Sequence, residues 1–205
     1  MNKNVVIIGA GGHAKVVADI VRKNHDTVLG FLDDDKSKHG TPFFGSIILG
    51  STSEYEKYAS DACFILAIGN NSVRKKLSQL MKCNWYTAIH PTAVVSEGAS
   101  IGEGSFIGAG AVVNPDATVG CHTIINTCSV VEHDCRIGDF AHLSPNAAVC
   151  GGSCVGTLTW IGAAAVLING VSVCSEVTIG AGAAVLKSIT EKGTYVGVPA
   201  KLLKQ

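Results

Sequence analysis

The chemistry in this chain concentrates in one segment, Asn126-Thr127-Cys128-Ser129-Val130-Val131-Glu132-His133-Asp134-Cys135, with His142 a short way beyond it. An imidazole titrates near neutrality, and an adjoining carboxylate raises its basicity and fixes its orientation. His133 followed by Asp134 therefore suits general-base work, against the plainer reading of a solvated surface histidine. Cys121, His122, Cys128, His133, Cys135 and His142 invite a metal reading, but no pair among them has the short spacing of a structural zinc site, so no metal is expected. A nucleophilic thiol is not indicated either, because only Cys135 has a basic neighbour and its register turns it inward.

A second group of polar and glycine residues lies near the start. Val5-Ile8 reads as a buried strand. It runs into Gly9-Ala10-Gly11-Gly12-His13-Ala14 and then a helix with Val16, Val17, Ile20 and Val21 on its apolar face. Thr27-Leu32 is a second strand ending in Asp33-Asp34-Asp35. Cys63-Ile68 is a third, closed by Gly69-Asn70-Asn71, and Ser72-Met81 is a helix with Arg74, Lys75 and Lys76 directed outward. Ser53-Tyr58 reads as a short helix, and Trp85-Ile89 as a last strand. Strand, helix, strand, helix, strand is a small parallel α/β unit, Rossmann-like, whose ligands belong at the carboxyl ends of its strands. Gly11 and Gly12 let a phosphate or sugar approach the backbone at a helix N-terminus, and Asp33 or Asp34 can accept hydrogen bonds from a ribose, a base or a sugar amine. Gly9-x-Gly11-x-x-Ala14 also meets the loose dinucleotide fingerprint, but three strands make only one mononucleotide-binding half. A turn that needs its glycines for steric reasons alone is the competing explanation.

What positions the first group is a beat of six. Every sixth residue from Ile89 to Val185 is Ile, Leu or Val, and four residues after each comes a small or β-branched one, such as Ala111, Ser129, Cys135 or Ala147. Neither a helix nor a plain strand repeats every six residues, whereas a β-helix of hexapeptides does. With three hexapeptides to a coil, residues eighteen apart stack, and the prism is about 25–30 Å long. Val131 and Cys135 then point inward and His133 and Asp134 outward. His142, half a coil on, stacks between Ile124 and Trp160, on the order of 15 Å from His133. If both serve one site, that site lies between subunits, and a trimer is the natural closed form for three-sided prisms. The end of the chain, Glu191-Tyr195 and Val196-Lys201, breaks the period and is expected to cap the open strand edges.

Bulk properties agree. Of 205 residues, 47% are hydrophobic, 16% are charged and 24 are glycine, which fits a long apolar interior with many corners. Zero formal net charge without a basic run speaks against nucleic acid or a membrane surface as partner. The strand-like start without a leader and the eight cysteines read as reduced thiols give the expectation of a cytoplasmic protein.

Taken together, the hexapeptides and the segments IIGAGGHA, FLDDD, AIGNN, HPTAVV, NTCSVVEHDC and VGVPAK resemble the bacterial sugar acyltransferases of the left-handed β-helix (hexapeptide-repeat) superfamily. Within it the chain is most similar to the UDP-4-amino-sugar N-acetyltransferases and sialic acid O-acetyltransferases. The resemblance implies an α/β nucleotide-sugar-binding domain over residues 1–85 and a left-handed parallel β-helix over 86–205. It implies acetyl transfer from acetyl-CoA to the 4-amino group of a UDP-4-amino-4,6-dideoxy sugar for a bacterial surface glycan or glycoprotein, in a homotrimer with active sites between subunits. Carried over by position, His133 is the base and Asp134 the carboxylate that strengthens it. Asn126 and His142 contact the acetyl end of acetyl-CoA, and His142 with a backbone N–H steadies the oxyanion. Gly151, Ala163 and Ala181 line the pantetheine groove, while Gly11, Gly12, His13, Asp33, Asp34 and Gly69 hold the nucleotide sugar. Asp134 stands where the family often has Glu, and Ala163 and Ala181 differ from its common residues. The rival readings are O-acetylation of sialic acid, a non-catalytic trimeric nucleotide-sugar-binding scaffold and, weakest, an NAD-dependent function.

Overall fold

The computed structural model describes residues 2–203. They form two compact units that meet in sequence at Pro91/Thr92, where the sequence reading places the boundary at 85/86.

The first unit is built on β1 (Asn4–Ile8), α1 (Gly12–Lys23) and β2 (Thr27–Leu32). It continues with β3 (Pro42–Phe43), β4 (Ser46–Gly50), β5 (Cys63–Leu66) and α2 (Asn71–Leu80). The sheet runs β3-β4-β2-β1-β5, parallel throughout except for the β3–β4 hairpin. Val5 to Ile8 are fully buried, as a central strand covered on both faces requires. Ala14, Val17, Ala18, Ile20 and Val21 give α1 its buried stripe. Two strands exceed the three expected from the sequence. They are short and turn through Phe44 and Gly45, both at positive φ (41° and 72°), as a tight hairpin needs. Two smaller differences follow. The Ser53-Tyr58 helix is a 3-10 helix over Thr52–Tyr58, started by a capping box between Ser51 and Glu54. Trp85 makes a single parallel bridge to Phe64, and the strand after it covers only Ala88–Ile89.

The second unit is a left-handed parallel β-helix whose strands, most of them two residues long, stack in three sheets at an interval of 18 residues as far as Ala184–Val185. Val112 pairs with Val94 and Val130, Thr118 with Ser100 and Arg136, and Ile124 with Phe106 and His142. The stacked aliphatics from Ile107 to Val185 are at most 3% exposed, and the small residues four positions on share that interior. Two buried hydroxyls are satisfied by carbonyls fifteen residues ahead, Ser105 Oγ donating to Gly120 O (2.8 Å) and Ser153 Oγ to Ile168 O (2.9 Å), while Ser129 Oγ donates to Asn126 O (2.7 Å).

The three outer faces differ. The face of Val94, Val112, Val130, Ala148, Val166 and Ala184 is wholly apolar, with Val94 56% exposed. The face of Ser100, Thr118, Arg136, Cys154 and Ser172 is mostly polar. The last carries Phe106, Ile124, His142, Trp160 and Thr178. These are called the apolar, polar and aromatic faces below. At the end of the chain, Gly193–Val196 extends the aromatic-face sheet, and Lys201–Leu202 closes it as an antiparallel edge. No described helix is long and apolar enough to cross a membrane.

Candidate active site

His133 and Asp134 occupy the turn that leaves the apolar face, between the fully buried Val131 and Cys135. Each turn of the prism places a left-handed residue three positions after its buried aliphatic. Here that residue is Asp134, at φ 61°. Aspartate tolerates this region better than most side chains. The left-handed backbone brings its carboxylate back to the preceding ring, and His133 Nδ1 lies 2.7 Å from Asp134 Oδ2. Short as it is, the Asp134 side chain thus reaches its partner at close range. With the Nδ1 proton directed at the carboxylate, the Nε2 lone pair is the basic position. The hydrogen bond to Asp134 raises the His133 pKa above its ordinary value; partial desolvation opposes this, and the charges of Asp134 and Glu132 add to it. Glu132 is itself held by Asn114, whose Nδ2 donates to Oε2 at 2.8 Å.

Gly151 stacks one coil beyond His133, and Gly152 N donates to His133 O at 2.9 Å. A β-carbon on Gly151 would lie 2.6 Å from His133 Nε2 and 2.7 Å from Cε1. The absence of a side chain there is what admits the imidazole.

Asn126 and His142 form the second cluster. Asn126 Oδ1 accepts from Thr127 N (2.8 Å), which turns its amide nitrogen toward His142 Nε2 at 3.3 Å. His142 Nε2 is therefore an acceptor, and the neutral ring carries its proton on Nδ1. In this tautomer Nε2 cannot donate to an oxyanion; the Asn126 amide can. Trp160 stacks parallel on His142, with centroids 5.6 Å apart and planes at 4°. Ala163 and Ala181 are exposed on the turns that leave the aromatic face, one coil apart, following Gly162 and Gly180. One chain thus carries two separate groups. His133, Asp134 and Gly151 lie at the corner leaving the apolar face. Asn126, His142, Ala163 and Ala181 lie at and beside the corner leaving the aromatic face.

In the first unit, Gly11, Gly12, His13, Asp33, Asp34 and Gly69 line one cleft of about 680 Å³ at the carboxyl ends of β1, β2 and β5. Gly9, at φ 102° and close to Ala67 O, is needed for the turn itself. A β-carbon on Gly11 or Gly12 would meet nothing within 4 Å, so neither is there to relieve a clash within the chain. Gly11 precedes α1 without a side-chain cap, leaving the first N–H groups of the helix open to an anion. Asp33 ties the loops together: Oδ2 accepts from Ala10 N (2.7 Å) and Oδ1 from Asp35 N (2.9 Å). Partial burial acts against the charge of Asp34, but donation from Thr52 and Ser51 outweighs it and holds the carboxyl below its usual range.

Arg74 is not outward, as the sequence reading has it. It is 1% exposed, and its Nη1 donates to Ile68 O (3.0 Å) and Gly69 O (2.9 Å) at the end of β5. Its position on the Arg74-Leu77-Met81 stripe was the available signal, overruled there by its charge. Burial lowers the Arg74 pKa to about 10, and burial followed by the Arg74 charge lowers that of His13 to about 4, so His13 is neutral in the cleft. No three His, Cys, Asp or Glu side chains among the described residues converge as a metal site would require.

Residues 4–81 match the PglD N-terminal domain family. Over 98% of this chain and 97% of its own, PerB from Caulobacter crescentus, solved in complex with CoA and GDP-perosamine, is 36% identical with a TM-score of 0.93. The acetyltransferase domain of PglB from Neisseria gonorrhoeae FA1090, solved with acetyl coenzyme A, is 33% identical over 99% of this chain and 100% of that one, with a TM-score of 0.91. A UDP-N-acetylbacillosamine N-acetyltransferase of Bacillus subtilis (strain 168) is 41% identical over 110 residues, and the match spans about half the length of that relative. Sequence identity and architecture agree over both units: the chain belongs to the acetyl-CoA-dependent sugar N-acetyltransferases that join a PglD-type N-terminal domain to a left-handed β-helix.

Proposed function

We propose that this protein transfers an acetyl group from acetyl-CoA directly to the 4-amino group of a UDP-linked 4-amino-4,6-dideoxy sugar, with His133 as general base, for a bacterial surface glycan or glycoprotein. The observation that carries the reading is the His133–Asp134 pair: an exposed imidazole whose Nδ1 is engaged by a carboxylate at 2.7 Å and whose Nε2 is the basic atom. As the neutral amine attacks the thioester carbonyl, the C–N bond forms, Nε2 takes the amine proton, and the tetrahedral intermediate expels the CoA thiolate. The Asn126 amide and a backbone N–H are the donors suited to the oxyanion. The cleft with open glycines at the start of α1 suits the diphosphate of the nucleotide sugar. UDP is favoured by the name of the Bacillus relative, although PerB was solved with a GDP sugar.

The working form in this reading is a homotrimer. The wholly apolar outer face supports it, since a ladder of Val94, Val112, Val130 and Val166 gains by leaving water. Trimer formation would also bring the His133 corner of one subunit to the Asn126–His142 corner of the next, completing a site that neither corner makes alone. The eight free cysteines accord with a reducing cytoplasm.

The test is a free-thiol assay for CoA release against UDP-, GDP- and TDP-linked 4-amino-4,6-dideoxy sugars, with sialic acid as a hydroxyl acceptor. Turnover is expected with a UDP-4-amino sugar; release with sialic acid alone would replace this reading by O-acetylation. His133→Ala is expected to lower kcat by about 10²–10⁴-fold with folding and assembly unchanged, and near-normal turnover would remove His133 from its role.

A further inference from the structure

We infer that Arg74 is a positioning residue for the cleft of the first unit: from beneath, it turns the Gly69–Asn70 backbone so that two N–H groups are presented to the diphosphate. This rests on the nucleotide-sugar reading above. Arg74 lies in the first turn of α2, and only 1% of it is exposed. A cation there works against the helix dipole and gives up its hydration, so the stability of α2 does not account for it. What it holds is the turn before the helix. Nη1 donates to Ile68 O at 3.0 Å and to Gly69 O at 2.9 Å, and both residues line the cleft.

Those two bonds fix the direction of the other side of each peptide. Both peptides are trans, and in a planar trans peptide the N–H points opposite to the C=O. With the carbonyls of Ile68 and Gly69 drawn inward to the guanidinium, the N–H groups of Gly69 and Asn70 face away from it, and both residues are exposed. Neither N–H meets an acceptor among the described residues. Nothing within the chain requires glycine at position 69 either. Its φ is not left-handed, and a β-carbon there would meet nothing within 4 Å. Gly11 and Gly12, on the β1–α1 turn of the same cleft, share both properties. Glycines that clear space beside open N–H groups on two turns of one cleft suit a ligand with two linked anionic groups, as a diphosphate has. The Arg74 charge reaches the β1–α1 turn as well: second to burial, it keeps His13 neutral.

A lysine ammonium stops one bond short of Nη1, so Arg74→Lys keeps the charge and loses the two carbonyl bonds. Calorimetry with UDP, or with GDP or TDP if the wild type prefers it, should show that variant binding about tenfold more weakly. The KM for the nucleotide sugar should rise with it, while kcat and the KM for acetyl-CoA stay within about twofold of wild type. Arg74→Met, which loses the charge too, should bind more weakly still where it folds. Gly69→Ala should keep the wild-type Tm and yet weaken the nucleotide by a similar factor. Because Arg74 acts through that turn, the double variant Arg74→Lys, Gly69→Ala should be little worse than the weaker single variant. Wild-type nucleotide affinity in a folded Arg74→Lys protein, equal rises in both KM values, or additive losses in the double variant would overturn the positioning role and leave the proposed function standing. Failure of the wild type to bind UDP, GDP or TDP would bring down the nucleotide-sugar reading itself, and the role of Arg74 with it.

Discussion

Gly151→Ala asks whether His133 works because of where its ring sits. The added methyl would lie 2.6 Å from Nε2 and 2.7 Å from Cε1. To restore an ordinary contact of 3.4 Å, the imidazole must retreat by about 0.8 Å. The ring is able to do so, because 59% of the His133 side chain is exposed. Stability should therefore change by less than about 0.5 kcal/mol. Activity should not escape so lightly. The displaced ring either lengthens its 2.7 Å bond to Asp134 or turns Nε2 away from the amine, and the new methyl crowds the basic atom itself. A misplacement near 1 Å at a reacting group costs on the order of 10²-fold, or about 2.7 kcal/mol in the barrier. The assay is kcat/KM by CoA release, run beside His133→Ala and the double variant. Since Gly151 acts through the ring, the double variant should be no slower than His133→Ala alone. Equal losses from Gly151→Ala with and without His133 would refute the steric account and return Gly151 to the pantetheine groove. Gly138→Ala is the contrast. Its methyl would meet Thr157 N at 2.6 Å and Gly156 C at 2.9 Å, backbone atoms of the next coil that cannot swing aside. That variant should lose about 1–3 kcal/mol of stability while its folded fraction keeps normal turnover.

Other outcomes follow from the same geometry. Because Asp134 raises the His133 pKa, the base is lost to protonation earlier as pH falls; Asp134→Asn should move the acidic limb of the kcat/KM profile to lower pH and reduce kcat, and an unmoved limb would detach Asp134 from the base. His13 has its pKa depressed to about 4 in the fold, against 6.5 when unfolded, so the unfolded chain binds the extra proton between those values and stability falls as pH drops through that window. At pH 5 the loss should be about 2 kcal/mol relative to pH 7, seen in urea midpoints and absent from His13→Asn. Val130→Glu places a charge in the middle of the apolar face and should yield monomers by light scattering with acetyl transfer abolished; an active trimer would move the interface elsewhere.

The prism was legible because its rule is strict. A period of six fixes which atoms are inside, so Val131 and Cys135 could be placed before any coordinates, and His133 with them on the outside. The first unit was less so. Pro42–Gly50 folds as two strands too short to show a period, joined by a turn whose Phe44 takes a positive φ that its type does not advertise. Arg74 was misread because charge outweighed helical spacing, although buried arginine is possible wherever carbonyls such as those of Ile68 and Gly69 receive it.

Within the prism, the same arithmetic separates what a sequence can disclose from what it cannot. Residues eighteen apart share a column, so Gly151 over His133 and Trp160 over His142 are readable as neighbours from numbering alone. The left-handed column was readable too, since Gly98, Gly152 and Gly170 mark the position that Asp116 and Asp134 also occupy. Contacts that leave the column were not. Asn126 reaches His142 and Ser144 reaches Trp160 across sixteen residues, from a corner to the adjoining face, and no periodicity of side-chain type announces a diagonal hydrogen bond. Those two bonds nonetheless decide the chemistry of the aromatic corner. They make His142 Nε2 an acceptor, leave the Asn126 amide as the donor available to an oxyanion, and lock the indole so that only its apolar surface faces outward. The scaffold follows from the repeat, and the tautomer from where the repeat is interrupted by side chains long enough to cross it.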